Sequence, residues 1–118
     1  MKCILILPYF GRFKNYFELF LKSCKYNPQM DWLLITDNED NIVYPENFII
    51  KKMTFKDFRS LVQSKFDFTI NLETPYKLCD YKPAYGYICE EWIKGYDYWG
   101  HCDCDLIFGD LSPIFNLF

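Results

Sequence analysis

The sequence lacks the features that carry a chain onto nucleic acid or into a membrane. No run of Lys or Arg exceeds two residues, and 13 basic against 16 acidic side chains leave a net charge of −3. That balance argues against nucleic acid as a partner and against a basic membrane-docking face. A composition that is 25% charged contains no stretch long and apolar enough for a transmembrane segment. The opening run from Lys2 to Leu7 is halted by Pro8; it falls short of the roughly 7–15-residue apolar core of a signal peptide and has no small-residue cleavage site. The expected compartment is therefore the cytoplasm. Internal repeats and low-complexity linkers are absent too, so the 118 residues read as a single domain.

Aromatic residues, by contrast, are abundant. At 21% of the chain, with 51% hydrophobic overall, they give a small protein a substantial core, because each buried aromatic removes about 150–250 Å² from water. The six cysteines stand at positions 3, 24, 79, 89, 102 and 104. Most of them sit inside apolar runs, and this favours buried free thiols over three bridges.

Hydrophobic periodicity sets out the elements. Lys2 to Leu7 and Asp31 to Thr36 are short continuous apolar runs, the pattern of strands buried on both faces. Between them Phe13, Tyr16, Phe17, Phe20, Leu21 and Cys24 recur at helical spacing, and Glu18 and Lys22 are placed for an i,i+4 pair. Strand, helix, strand in this order predicts a right-handed parallel βαβ unit. Phe48 to Met53 reads as a third strand. Thr54 with Asp57 then forms a capping pair for a helix carrying Phe55, Phe58, Leu61, Val62 and Phe66. Pro83 suits the first turn of a third helix through Tyr85, Ile88, Cys89 and Trp92, ended by Gly95. Tyr96 to Asp105 is an aromatic run ending in acids, with the last strand leading into Asp103-Cys104-Asp105, and Ser112-Pro113 reads as the start of another helix. The fold class is α/β, Rossmann-like, with a mostly parallel sheet and flanking helices; ligands in such folds sit beyond the carboxyl ends of the strands.

Three strand-end loops carry chemistry: Pro8-Tyr9-Phe10-Gly11, Thr36-Asp37-Asn38 and Asp103-Cys104-Asp105. In extended backbone Asp103 and Asp105 project together, while Cys102 and Cys104 point the other way. Two adjacent carboxylates repel unless a cation stands between them, and hard divalent ions prefer oxygen ligands. Mg²⁺ or Mn²⁺ bridging to a diphosphate is one reading of the pair, which its place at the end of an apolar run after two earlier strand-end loops supports; a solvated acidic turn is the other.

The segment Tyr96 to Asp110, with the tract Lys77-Leu78-Cys79-Asp80-Tyr81-Lys82-Pro83-Ala84 upstream, resembles the strand and DxD region of bacterial GT-A fold glycosyltransferases. The opening Ile4 to Gly11 and the strand ending Thr36-Asp37 are similar to that group's N-terminal half. The resemblance implies a nucleoside-diphosphate sugar as donor. Asp105 would bind the divalent metal, and Asp103 the ribose or the metal. Pro8, Tyr9 and Phe10 would line the base pocket, and Asp37 would bond base or ribose. Lys82 would hold phosphate, with Asp80 orienting it. A glycan or lipid-linked acceptor in surface polysaccharide synthesis would put the work at the inner face of a membrane.

The chain departs from that family after the DxD, where the acceptor half is expected and the sequence ends at Phe118. The expectation is a C-terminally truncated nucleotide-sugar-binding half, completed by another chain or self-associating through the apolar stretch Ile114 to Phe118. The alternative is a non-catalytic nucleotide-sugar-binding or interaction module. Zinc held by His101, Cys102, Cys104 and Cys79 is disfavoured by the Cys-x-Cys spacing. Asp103 to Asp110 is no EF-hand loop, since Ile107 occupies a ligand position. A haloacid-dehalogenase-like phosphatase would carry its Asp-x-Asp near the N-terminus.

Overall fold

The computed structural model describes residues 1–117. Four strands form the sheet: β1 (Cys3–Pro8), β2 (Met30–Thr36), β3 (Phe48–Lys52) and β4 (Tyr98–His101). Their order is β3-β2-β1-β4, and all three pairings are parallel. β1 lies inside the sheet, with Leu5 opposite Trp32 on one side and Gly100 on the other. The α/β, Rossmann-like sheet read from the apolar runs is the observed architecture, and both strands of the first βαβ unit lie within a residue of their expected bounds.

Side chains alternate between two cores. Ile4, Ile6, Leu33 and Ile35 face one layer with Phe58 and Val62 of α2 (Phe55–Ser64). Leu7, Trp32, Leu34 and Phe48 face the other with Phe17, Phe20 and Leu21 of α1 (Phe17–Lys25). Burial on both faces is why these strands read as unbroken apolar runs. The chain steps outward from β1 to β3 across the α1 face and returns to β4 across the α2 face. Opposite directions of travel on opposite faces keep the crossovers of one hand.

Local chemistry explains the element ends. The hydroxyl of Thr54 accepts a 3.0 Å hydrogen bond from the Asp57 amide and so caps α2, as the capping pair requires. α1 begins at Phe17 rather than Phe13. The Phe13 ring nonetheless stacks on Phe17 with centroids 3.8 Å apart, so its apolar contact is made from an irregular lead-in.

The third helix differs from expectation. A 3₁₀ helix runs from Pro75 to Ala84, and only Tyr85–Ile88 (α3) is α-helical. Pro83 has no N–H to donate, and the α pattern resumes only after it. Trp92 lies in the turns that follow, and Gly95, at φ +89°, ends them. β4 stops at His101, short of the two aspartates. Ser112-Pro113 does open a short helix, α4 (Ser112–Phe115). The segment before it is clamped by Asn27, whose amide donates to the carbonyl of Gly109 (2.9 Å) and whose carbonyl accepts from the amide of Leu111 (2.8 Å). Among the described residues no helix is long and apolar enough to cross a membrane.

Candidate functional site

The sheet reverses its direction of growth beside β1, where β2 lies on one side and β4 on the other. At such a reversal the loops leaving the two neighbouring strands diverge to opposite faces and open a crevice at their carboxyl ends. A cavity of about 250 Å³ lies there. Pro8, Tyr9 and Phe10 enter it from the end of β1, Cys102 and Asp103 from beyond β4, and Tyr76, Cys79, Lys82 and Tyr85 from the 3₁₀ helix and the start of α3. Three residues per turn explain that last set, because residues three apart align along a 3₁₀ helix and the positions Tyr76, Cys79, Lys82 form one stripe.

Charge converges at one point. Lys82 Nζ lies 3.3 Å from Asp103 Oδ1, joining the 3₁₀ helix to the β4 loop. The lysine side chain is 25% exposed and the aspartate 60%; ion pairs that open to water contribute little, at most about 1 kcal/mol, so either partner exchanges readily for a stronger one. Behind them Tyr85 is buried and its hydroxyl donates to the carbonyl of Leu78 at 3.0 Å. Burial, then the neighbouring Cys79 thiol, pushes its ionisation well above the ordinary tyrosine range. It therefore stays a neutral donor that fixes the wall.

The β1 loop is held in place by its neighbours. Phe10 packs on Phe55 and Phe58, with centroids 5.5 and 5.7 Å away, and anchors the loop to the α2 core. Tyr9 stacks on Phe13 at 5.2 Å, and its hydroxyl donates to the Arg12 carbonyl. Burial, then Cys104, Tyr16 and Asp105, raises its ionisation. Asp37 accepts a 2.8 Å hydrogen bond from the amide of Gly11, and Asn38 donates to the carbonyl of the same glycine. Gly11 has φ +104°, a conformation that strains any side chain, so glycine is what this grip requires.

The expected site residues thus divide into two groups. Pro8, Tyr9, Phe10, Lys82 and Asp103 share the cavity. Asp37 touches the loop rather than the cavity, and Asp80 is exposed on the 3₁₀ helix away from the lining. Asp105 is exposed in a separate depression beside Tyr16, Leu106 and Ile107. Asp103 and Asp105 face water with Cys104 buried between them, but the backbone bends at Cys104 and Asp105 and the two carboxylates open onto separate depressions, not onto the one shared site that extended backbone predicts. Among the described residues no group of three or more His, Cys, Asp or Glu is gathered to hold a metal. Asp103 is the carboxylate in the cavity lining, and a magnesium-type ion takes as few as one carboxylate and completes its shell with phosphate oxygens and water.

Tyr76 and Cys79 are lining residues that helical periodicity missed; counting back in threes from Lys82 recovers them. All six cysteines are free thiols, and His101 meets the Tyr85 ring edge-on with centroids 6.2 Å apart. A larger groove of about 620 Å³ lies between α1 and residues 40–45, bordered by Lys14, Lys22 and Lys25. It is broader than the strand-end cavity, but no strand end opens into it.

A family model described as a family of unknown function (DUF6625) matches residues 5–117. No curated protein and no solved structure matches the chain.

Proposed function

The chain belongs to that family of unknown function, its activity has to be derived from its own residues, and we propose that it is a metal-dependent glycosyltransferase, or the nucleotide-sugar-binding half of one. The donor in this reading is a nucleoside-diphosphate sugar, and the acceptor a glycan or lipid-linked glycan at the inner face of a membrane. One observation carries it: the Lys82–Asp103 pair spans a cavity at the point where the strand order reverses.

Lys82 supplies a cation for the diphosphate, and its weak pairing lets a phosphate oxygen displace the carboxylate. Asp103, released from the lysine, then serves with Asp105 as ligand for Mn²⁺ or Mg²⁺. Bound there, such an ion would neutralise charge on the departing diphosphate. Pro8 and Tyr9 offer an apolar wall to the base. Asp37 acts through the loop, holding Gly11 so that Pro8 to Phe10 keep their place.

Isothermal calorimetry on the full chain tests the reading. A nucleoside diphosphate binds more tightly with Mn²⁺ than with chelator, Asp105→Ala removes that difference, and Lys82→Gln weakens binding in both conditions by about tenfold, the loss of a charge-assisted contact. Equal affinity with and without metal would contradict the roles of Asp103 and Asp105. Saturable binding without sugar transfer would identify a binding module in place of an enzyme.

A further inference from the structure

Tyr76 is an aromatic side chain with nothing of the protein to lie on. It is 83% exposed and packs against neither core. Among the described residues it has no hydrogen bond and no ring partner. Yet it lines the strand-end cavity, on the same 3₁₀ stripe as Cys79 and Lys82. Two turns at a rise of about 2.0 Å per residue set the backbone position of Tyr76 about 12 Å along the axis from that of Lys82.

We infer that Tyr76 is the stacking platform for the nucleobase of a nucleoside diphosphate whose phosphates are held at Lys82, and that it sets the preference for nucleotide over free diphosphate. This rests on the reading of the site given above. The spacing selects the base over the donor sugar. The sugar is bonded directly to the terminal phosphate, whereas a ribose intervenes between phosphate and base, and backbone positions two helical turns apart match the longer reach from phosphate to base. An exposed phenol also suits the role energetically, because a flat apolar face left in water gains on covering by another ring without first breaking contacts of its own.

Binding to the full chain in the presence of Mn²⁺ decides it, with a panel of adenosine, guanosine, cytidine and uridine diphosphates, one nucleoside-diphosphate sugar, and inorganic pyrophosphate as probes. Tyr76→Ala weakens the best nucleoside diphosphate by about tenfold and leaves pyrophosphate within twofold, while Tyr76→Phe, which keeps the ring, stays close to wild type. An unchanged affinity in Tyr76→Ala overturns the inference. So does an equal loss for pyrophosphate, or a loss confined to the sugar-bearing nucleotide, which would assign the ring to the sugar. Wild-type protein that binds pyrophosphate but no nucleoside diphosphate more tightly sinks the platform and leaves Lys82 as a phosphate site. Wild-type protein that binds neither removes the functional reading as well.

Discussion

Replacing Asn27 by Ala should release the segment that follows the two aspartates. Asn27 is 1% exposed and connects the end of α1 to a stretch more than eighty positions later. Its amide donates to Ser23 and Gly109 carbonyls at 3.0 and 2.9 Å, and its carbonyl accepts from the Leu111 amide at 2.8 Å. Each such bond is worth about 1 kcal/mol net, and a buried partner left unpaired costs at least as much again unless water reaches it. Three bonds therefore predict a loss of about 3 kcal/mol where water reaches the freed partners and more where it does not, equivalent to about 10 °C or more in Tm for a domain of this length. Gln29, bonded to the same carbonyl at a long 3.3 Å, serves as control, and Gln29→Ala should be nearly neutral. Urea unfolding followed by circular dichroism gives the free energy, and amide exchange at Leu111 locates it. A loss below about 1 kcal/mol, or a full loss with Leu111 protection intact, would refute the clamp.

Three further outcomes are expected. A methyl group at Gly86 would clash with the Trp99 ring, so Gly86→Ala should cost about 1–3 kcal/mol, and Trp99→Ala in the same chain should recover most of it; strict additivity in the double-mutant cycle would exclude the clash. Burial, and a hydrogen bond from its hydroxyl to Asp31, push Tyr96 up to about 12, and burial pushes Cys89 and Cys102 to about 12 as well. In the unfolded chain these groups lose their protons near 9 to 10, while the folded chain retains them, so stability is full below pH 9 and falls between there and pH 12; a urea midpoint that rises across that window would reverse the sign, and Tyr96→Phe should flatten the upper part. Cys79 is exposed in the cavity lining whereas Cys24, Cys89 and Cys104 are buried, so a thiol reagent should modify Cys79 first and a bound diphosphate should slow it; a fast phase that survives Cys79→Ser would contradict this.

The strands were legible because burial on both faces leaves no polar alternation to misread, as in Leu33-Leu34-Ile35. The Thr54 cap was legible because hydroxyl and amide stand three residues apart whatever the tertiary context. Phe13 misled because an i,i+4 apolar contact, here a ring stack on Phe17, forms without the helical hydrogen bonds that usually accompany it. The stretch Pro75 to Ala84 was opaque for a different reason: its apolar residues obey a period of three, and a search at 3.6 passes over Tyr76 and Cys79. Within the site, residue type pointed to Lys82 and Asp103, but their meeting across the cavity depends on β4 lying beside β1, and no local pattern specifies which strand becomes that neighbour.

That adjacency also sets an order of events in folding. β1 and β2 are joined by one helix and can pair early, whereas β4 reaches β1 only across nearly the whole chain, as the bond from the Lys2 amide to the Asp97 carboxylate, 95 positions away, makes plain. Closing so long a loop carries the larger entropic penalty, and contacts of that separation form late. The four-residue strand β4 and the carboxylate beyond it should then be the last part to dock and the first to open, with exchange at Tyr98–His101 outrunning global unfolding. A ligand bridging Lys82 and Asp103 would tie the latest-arriving wall to the rest, and so would slow unfolding more than it speeds folding.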